Sequence, residues 1–161
     1  MAPADRPAVI AALRAVGVAP DEYGPTLNTA QSPPDVDVLG AALAEEIRAV
    51  AAPAALVVWD TSDEAVLAHV VARHLGVGVL RASEAEGLLA LTPDLTSGTP
   101  LALLATQWGE RRLATLRTLV ANRGGRVVAV AAALASPALA AVADVPTAAL
   151  AEAGDVAGVP S

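Results

Sequence analysis

The sequence predicts an α/β fold, a doubly wound parallel sheet built as a single domain. Three observations carry that reading. Two strand–helix–strand units follow one another, residues 55–81 and residues 101–131. Their strands are short continuous apolar runs, as expected where helices cover both faces of a parallel sheet. The chain has 161 residues, within the range of about 100–200 for one domain, with no repeat at a fixed period and no linker long enough to divide it. Because a crossover between parallel strands is right-handed and returns to the same sheet, two such units imply one doubly wound sheet.

The elements follow in order. Asp5, with Pro7 just inside, starts a helix whose Val9, Ile10, Leu13 and Val16 share a face and which Gly17 ends. Residues 18–36 are rich in Pro, Gly, Asn, Gln and Ser and read as an irregular segment or a short hairpin around Tyr23. A second helix follows Asp35 or Asp37, with Leu39, Leu43, Ile47 and Val50 along one side. Ala55–Trp59 is the first buried strand, and Asp60–Glu64 supplies helix-capping residues and first-turn acids. Val66, Leu67, Val70, Val71 and Leu75 form the next helical stripe, closed by Gly76, and residues 77–81 are a strand. Residues 82–99 hold an acidic segment, the short apolar stretch Leu88–Leu91 and a turn. Leu101–Ala105 is a strand, Leu113, Leu116, Leu119 and Val120 mark a helix ending at Gly124-Gly125, and residues 126–131 are a strand. Helical pieces around 137–143 and 147–153 close the chain, with Asp144 and Asp155 read as solvated.

Composition excludes several classes. All 10 basic residues are Arg, against 17 acids, for a net charge of -7. A protein that binds a nucleic-acid backbone needs a basic face, so that class is set aside, as is a polybasic membrane anchor. Mean hydropathy is +0.54, but much of the apolar excess is Ala, and charged residues, Gly or Pro interrupt every Val/Leu block before it reaches the ~18 residues of a membrane span. Zero cysteines exclude disulfides, thiol nucleophiles and zinc–thiolate sites. The first residues lack the features of a signal peptide, and a cytoplasmic protein is the expectation.

Ligands of doubly wound sheets bind beyond the carboxyl ends of the strands, where the connections diverge. That nominates residues 59–64 and 105–111. Asp60, Thr61 and Ser62, followed by Asp63 and Glu64, are either an anion- or metal-binding loop or a helix cap. Three carboxylates there would repel a phosphate unless a divalent cation intervened. In the second segment, Thr106, Gln107, Trp108, Gly109, Glu110 and Arg111 are either a ligand contact or structural. Trp108 has a ring to stack, and Arg111 and Arg112 have guanidiniums for a phosphate or carboxylate, but one glycine does not make a phosphate nest. His69 and His74, five apart, do not form a metal set, and no nucleophile elbow or dinucleotide fingerprint occurs.

The order of elements resembles the type I phosphoribosyltransferases, most closely the orotate type, over nearly the whole chain. Residues 1–36 match an N-terminal helix and hood-like segment, 37–135 the α/β core and 136–161 the C-terminal segment. The resemblance implies that Ala105 and Thr106 stand where the family has two adjacent acids that contact the ribose of phosphoribosyl pyrophosphate (PRPP). Gln107–Arg112 stand for the loop that wraps its 5′-phosphate, keeping only Gly109. Asp60–Glu64 stand for the pyrophosphate loop, without glycines. Glu84 and Glu86 stand where catalytic lysines are expected, and Arg81 alone is kept in type. These departures imply a non-catalytic member that binds a small anionic or aromatic ligand, or a protein partner, in a regulatory or scaffold role. No catalytic residue, metal ligand or cofactor is expected. One alternative is a divergent active phosphoribosyltransferase with Mg²⁺ held by Asp60, Asp63 or Glu64. Another is a purely structural subunit of an oligomer. The resemblance also implies a homodimer or hetero-oligomer.

Overall fold

The computed structural model describes residues 5–21 and 24–156. Tyr23 lies outside them. The elements are α1 (Arg6–Val16), β1 (Val18–Asp21), β2 (Gly24–Leu27), α2 (Pro33–Val50), β3 (Ala55–Trp59), α3 (Ser62–Leu75), β4 (Gly78–Ala85), β5 (Leu88–Thr92), β6 (Pro100–Gln107), α4 (Glu110–Asn122), β7 (Arg126–Leu134), α5 (Pro137–Ala140), β8 (Thr147–Ala151) and α6 (Ala153–Val156). A six-stranded sheet runs in the order β5-β4-β3-β6-β7-β8. It is parallel except for β5, which returns antiparallel along β4. β1 and β2 form a separate antiparallel pair. This is the doubly wound α/β fold that the apolar runs predict.

Alternation along the strands makes two cores. In β3, Leu56 and Val58 face the cluster formed with α1, α2 and α3. Ala55, Val57 and Trp59 face the other cluster, with α4 and α5. In β6, Ala102 and Leu104 join the first cluster, and Leu101, Leu103 and Ala105 the second. Each fully buried Val or Leu contributes about 1.5–3 kcal/mol, so the two-faced runs are where the apolar composition is used. On the first face the helices approach closely. A Cβ at Gly40 of α2 would lie 2.2 Å from Val70 Cγ1 of α3, so this glycine is required by contact between two helices. The β3–α3–β4 and β6–α4–β7 crossovers leave in opposite directions from the adjacent strands β3 and β6. The topological switch point lies between their carboxyl ends.

Several expected boundaries move. Helix α2 starts at Pro33, with Pro residues in its first turn and Ser32 Oγ donating to Asp35 Oδ2 at 2.5 Å. Proline's fixed φ suits these positions. Val50 and Val66, expected on buried stripes, are exposed, and Gly40, Ala44, Ala68 and Ala72 take the buried positions. Small residues there let α2 and α3 pack closely. The acidic segment after Arg81 and the apolar stretch Leu88–Leu91 form a hairpin. β4 continues to Ala85 and turns at Glu86-Gly87 into β5, both turn residues having positive φ (53° and 77°), the type I′ signature. The expected helical piece at 147–153 is instead strand β8, parallel to β7 with Ala148 opposite Ala131. Alanine's helix propensity yields there to a neighbouring strand with unpaired backbone groups. Asp144 and Asp155 are not merely solvated. Asp144 pairs with Arg117, whose hydrogen bond holds the carboxyl below the usual range. Asp155 pairs with Arg6 at 3.2 Å and accepts the Glu152 N–H, joining α6 to α1. Among the described residues, no helix is long and apolar enough to cross a membrane.

Candidate functional site

The switch point is built from the carboxyl ends of β3 and β6 and the first turns of α3 and α4. At its centre is Glu64, a residue that the sequence reads as a helix-capping acid or, in the alternative, a metal-loop carboxylate. Its side chain is turned inward, and the residue is 9% exposed. Glu64 Oε2 accepts the Thr106 N–H at 2.9 Å, and Oε1 accepts the Thr106 hydroxyl at 2.7 Å. Thr106 Oγ1 also lies 2.9 Å from Thr26 Oγ1 of β2. With the Thr106 proton given to the carboxylate, Thr26 is the donor in that bond. Beside it, Asp63 Oδ1 accepts the Thr29 N–H at 2.9 Å and the Thr29 hydroxyl at 2.5 Å. Two successive acids of α3 thus fasten the N-terminal segment and the end of β6 over the crevice. Burying a carboxylate is costly unless hydrogen bonds satisfy it, and these do.

The predicted residues separate around this centre. Asp60, at the end of β3, is paired with Arg81 of β4 at 3.4 Å. Thr61 is the N-cap of α3, but its side chain caps no N–H, and Oγ1 is buried without a partner among the described residues. Ser62 is exposed at the first helical position. Thr106 and Gln107 belong to β6, which extends past the expected Ala105, and Gln107 Nε2 donates to the Ala135 carbonyl at 3.3 Å. Only Trp108 and Gly109 connect β6 to α4. Trp108 is 3% exposed, and its indole N–H donates to the Ala131 carbonyl at 2.9 Å. Gly109 is the N-cap of α4, and Glu110 and Arg111 stand exposed in its first turn. Arg112 folds back, its guanidinium 4.2 Å from the Trp59 ring centroid, while the Trp59 indole N–H donates to the Arg112 carbonyl at 3.2 Å.

A cleft of about 660 Å³ opens between the β4–β5 hairpin and the start of α4, lined by Glu84, Glu86, Leu89, Glu110 and Arg111 with Trp59 at its floor. His74, outside this region, lies 3.3 Å from Asp37.

The acids named for Mg²⁺ do not fit the ion as a set. Asp60 is on Arg81, Asp63 on Thr29 and Glu64 on Thr106. Among the described residues, no group of three or more His, Asp or Glu side chains is arranged to hold a metal.

Sequence reasoning named Asp63 and Glu64 but missed their partner roles toward Thr29 and Thr106, and missed Thr26 and Thr29. One signal was present. Residue 64 falls at helical spacing with Leu67, Ala68, Val71 and Ala72, the face that α3 buries, so a carboxylate there needed an internal partner.

The fold is that of the type I phosphoribosyltransferases. A phosphoribosyltransferase from Corynebacterium diphtheriae superposes with a TM-score of 0.75 at 13% identity, covering 94% of this chain and 97% of that one. Orotate phosphoribosyltransferase from Mycobacterium tuberculosis, in complex with inorganic phosphate, gives 0.73 at 14% identity, covering 97% and 92%. Adenine phosphoribosyltransferase from Thermoanaerobacter pseudethanolicus gives 0.67 at 11% identity, covering 86% and 95%. No protein-family model and no curated protein matches the sequence.

Proposed function

We propose that this chain is a non-catalytic phosphoribosyltransferase-like protein that binds a small molecule or a protein partner other than PRPP, in a regulatory or scaffold role. The observation that carries the reading is the Glu64 carboxylate seated on the N–H and hydroxyl of Thr106. Thr106 is one of the two positions matched to the family's ribose-binding acids. A diol approaching it needs a carboxylate acceptor. Here the neighbouring carboxylate already accepts from protein donors, and the threonine carries no charge.

Three further features support the same reading. Of the residues standing for the phosphate loop, only Trp108 and Gly109 lie outside β6 and α4, and one glycine is too few for a loop that curls several backbone N–H groups around a phosphate. Trp108 is packed inward and hydrogen-bonded, which suits an anchor for this connection more than a stacking platform. Glu84 and Glu86, on the hairpin, bring negative charge where departing pyrophosphate would need positive charge. Losing one preorganised stabilising group typically costs 10²–10³ in rate, and several are replaced together.

The test is an activity screen. The protein, PRPP and Mg²⁺ are incubated with orotate, adenine and other nucleobases, and pyrophosphate is measured. No release above the protein-free background is expected. Release that Asp60→Ala abolishes would overturn the proposal in favour of a divergent enzyme.

A further inference from the structure

The cleft between the β4–β5 hairpin and α4 has one wall that is acidic and one that carries an acid and a base side by side, with no ion pair across it. Glu84 alternates with Leu80 and Ala82 along β4, which puts it on the face of the sheet that α4 covers. Glu86 follows in the turn. Across the cleft, the first turn of α4 presents Glu110 and Arg111. All four side chains are exposed, and none takes part in an ion pair among the described residues, although six pairs form elsewhere. Arg112 is already engaged on the Trp59 ring. The cleft therefore offers one uncommitted guanidinium, three carboxylates and an apolar strip at Leu89. Its volume of about 660 Å³ lies within the range of small-molecule sites.

We propose that this cleft binds a free basic α-amino acid of the arginine or lysine kind. The ligand's carboxylate lies on the Arg111 guanidinium, a planar fork suited to bidentate contact. Its ammonium and side-chain cation are received by Glu110 and by Glu84 and Glu86, with the methylene stem along Leu89. A ligand with one negative and two positive charges matches the uneven charge of the walls. A polyanion meets three carboxylates there, and a simple diamine leaves Arg111 unanswered. The proposal rests on the reading of this face as a crevice for something other than PRPP and names the ligand class.

The test is titration calorimetry at low salt with L-arginine and L-lysine, with agmatine as the probe that keeps both the stem and the guanidinium but lacks the carboxylate. Wild-type protein is expected to bind at least one of the two amino acids and to bind agmatine about 10- to 100-fold more weakly, the worth of one charge-assisted contact. Arg111→Gln should weaken the amino acid by a similar factor and leave agmatine unchanged. Glu84→Gln/Glu86→Gln should weaken both. Thermal melts of the variants confirm that they fold, since all three residues are exposed. Absence of amino-acid binding to wild type, equal binding of agmatine, or an Arg111→Gln variant with unchanged affinity overturns the proposal. Those outcomes leave the non-catalytic reading standing, which fails separately if PRPP is turned over.

Discussion

Trp108→Ala is expected to destabilise the protein by about 3–5 kcal/mol, the range for truncating a large buried aromatic. The side chain is 3% exposed in the cluster with Leu113 and Leu116, and its N–H is bonded to the Ala131 carbonyl. The substitution therefore removes packing and a hydrogen bond between the β6–α4 connection and β7. Trp108→Phe keeps most of the packing and loses the hydrogen bond, so a loss nearer 1–2 kcal/mol is expected. Chemical denaturation followed by circular dichroism measures both. A stacking platform for a ligand behaves in the opposite way: alanine there would leave the midpoint within about 0.5 kcal/mol of wild type.

The second large effect concerns Glu64. Glu64→Ala removes the acceptor for two donors on Thr106 and leaves the Thr106 N–H without its partner in a buried site. A loss of about 2–4 kcal/mol is expected. Glu64→Gln should be milder, about 1 kcal/mol. Its carbonyl oxygen still accepts the Thr106 N–H, and the Thr106 hydroxyl can turn to accept from the new amide. Urea unfolding of wild type, E64A and E64Q gives the ranking, and Thr106→Val in each background measures the coupling. If E64A is as stable as wild type, the carboxylate is not holding the end of β6.

Much of the fold is legible in the sequence because it depends on short-range pattern. The apolar runs at 55–59 and 101–105 are buried on both faces, as is the later part of the run at 126–131, and all three read as strands. Glycines at 17 and 76 adopt positive φ where the helices end. The elements misread are those whose state is set by neighbours distant in sequence. Residues 147–151 read as helix from their alanines, yet they pair with β7. Glu86-Gly87 does not read as a turn because glutamate is an unusual first residue for type I′ geometry. The site was legible in position and not in arrangement. Strand order places residues 60–64 and 106–111 at the switch point. Nothing local to Glu64 says that it reaches a threonine 42 residues away, or that Thr29 meets Asp63, because the first contact exists only once α3 packs beside β6 and the second only once the N-terminal segment reaches α3.

On the proposed reading, the crevice at the ends of β3 and β6 does not take PRPP. Titration calorimetry with PRPP and Mg²⁺ tests it most directly. No saturable heat is expected, which places any dissociation constant above about 1 mM. Saturable, Mg²⁺-dependent binding at micromolar concentration, lost on Asp60→Ala, would contradict it.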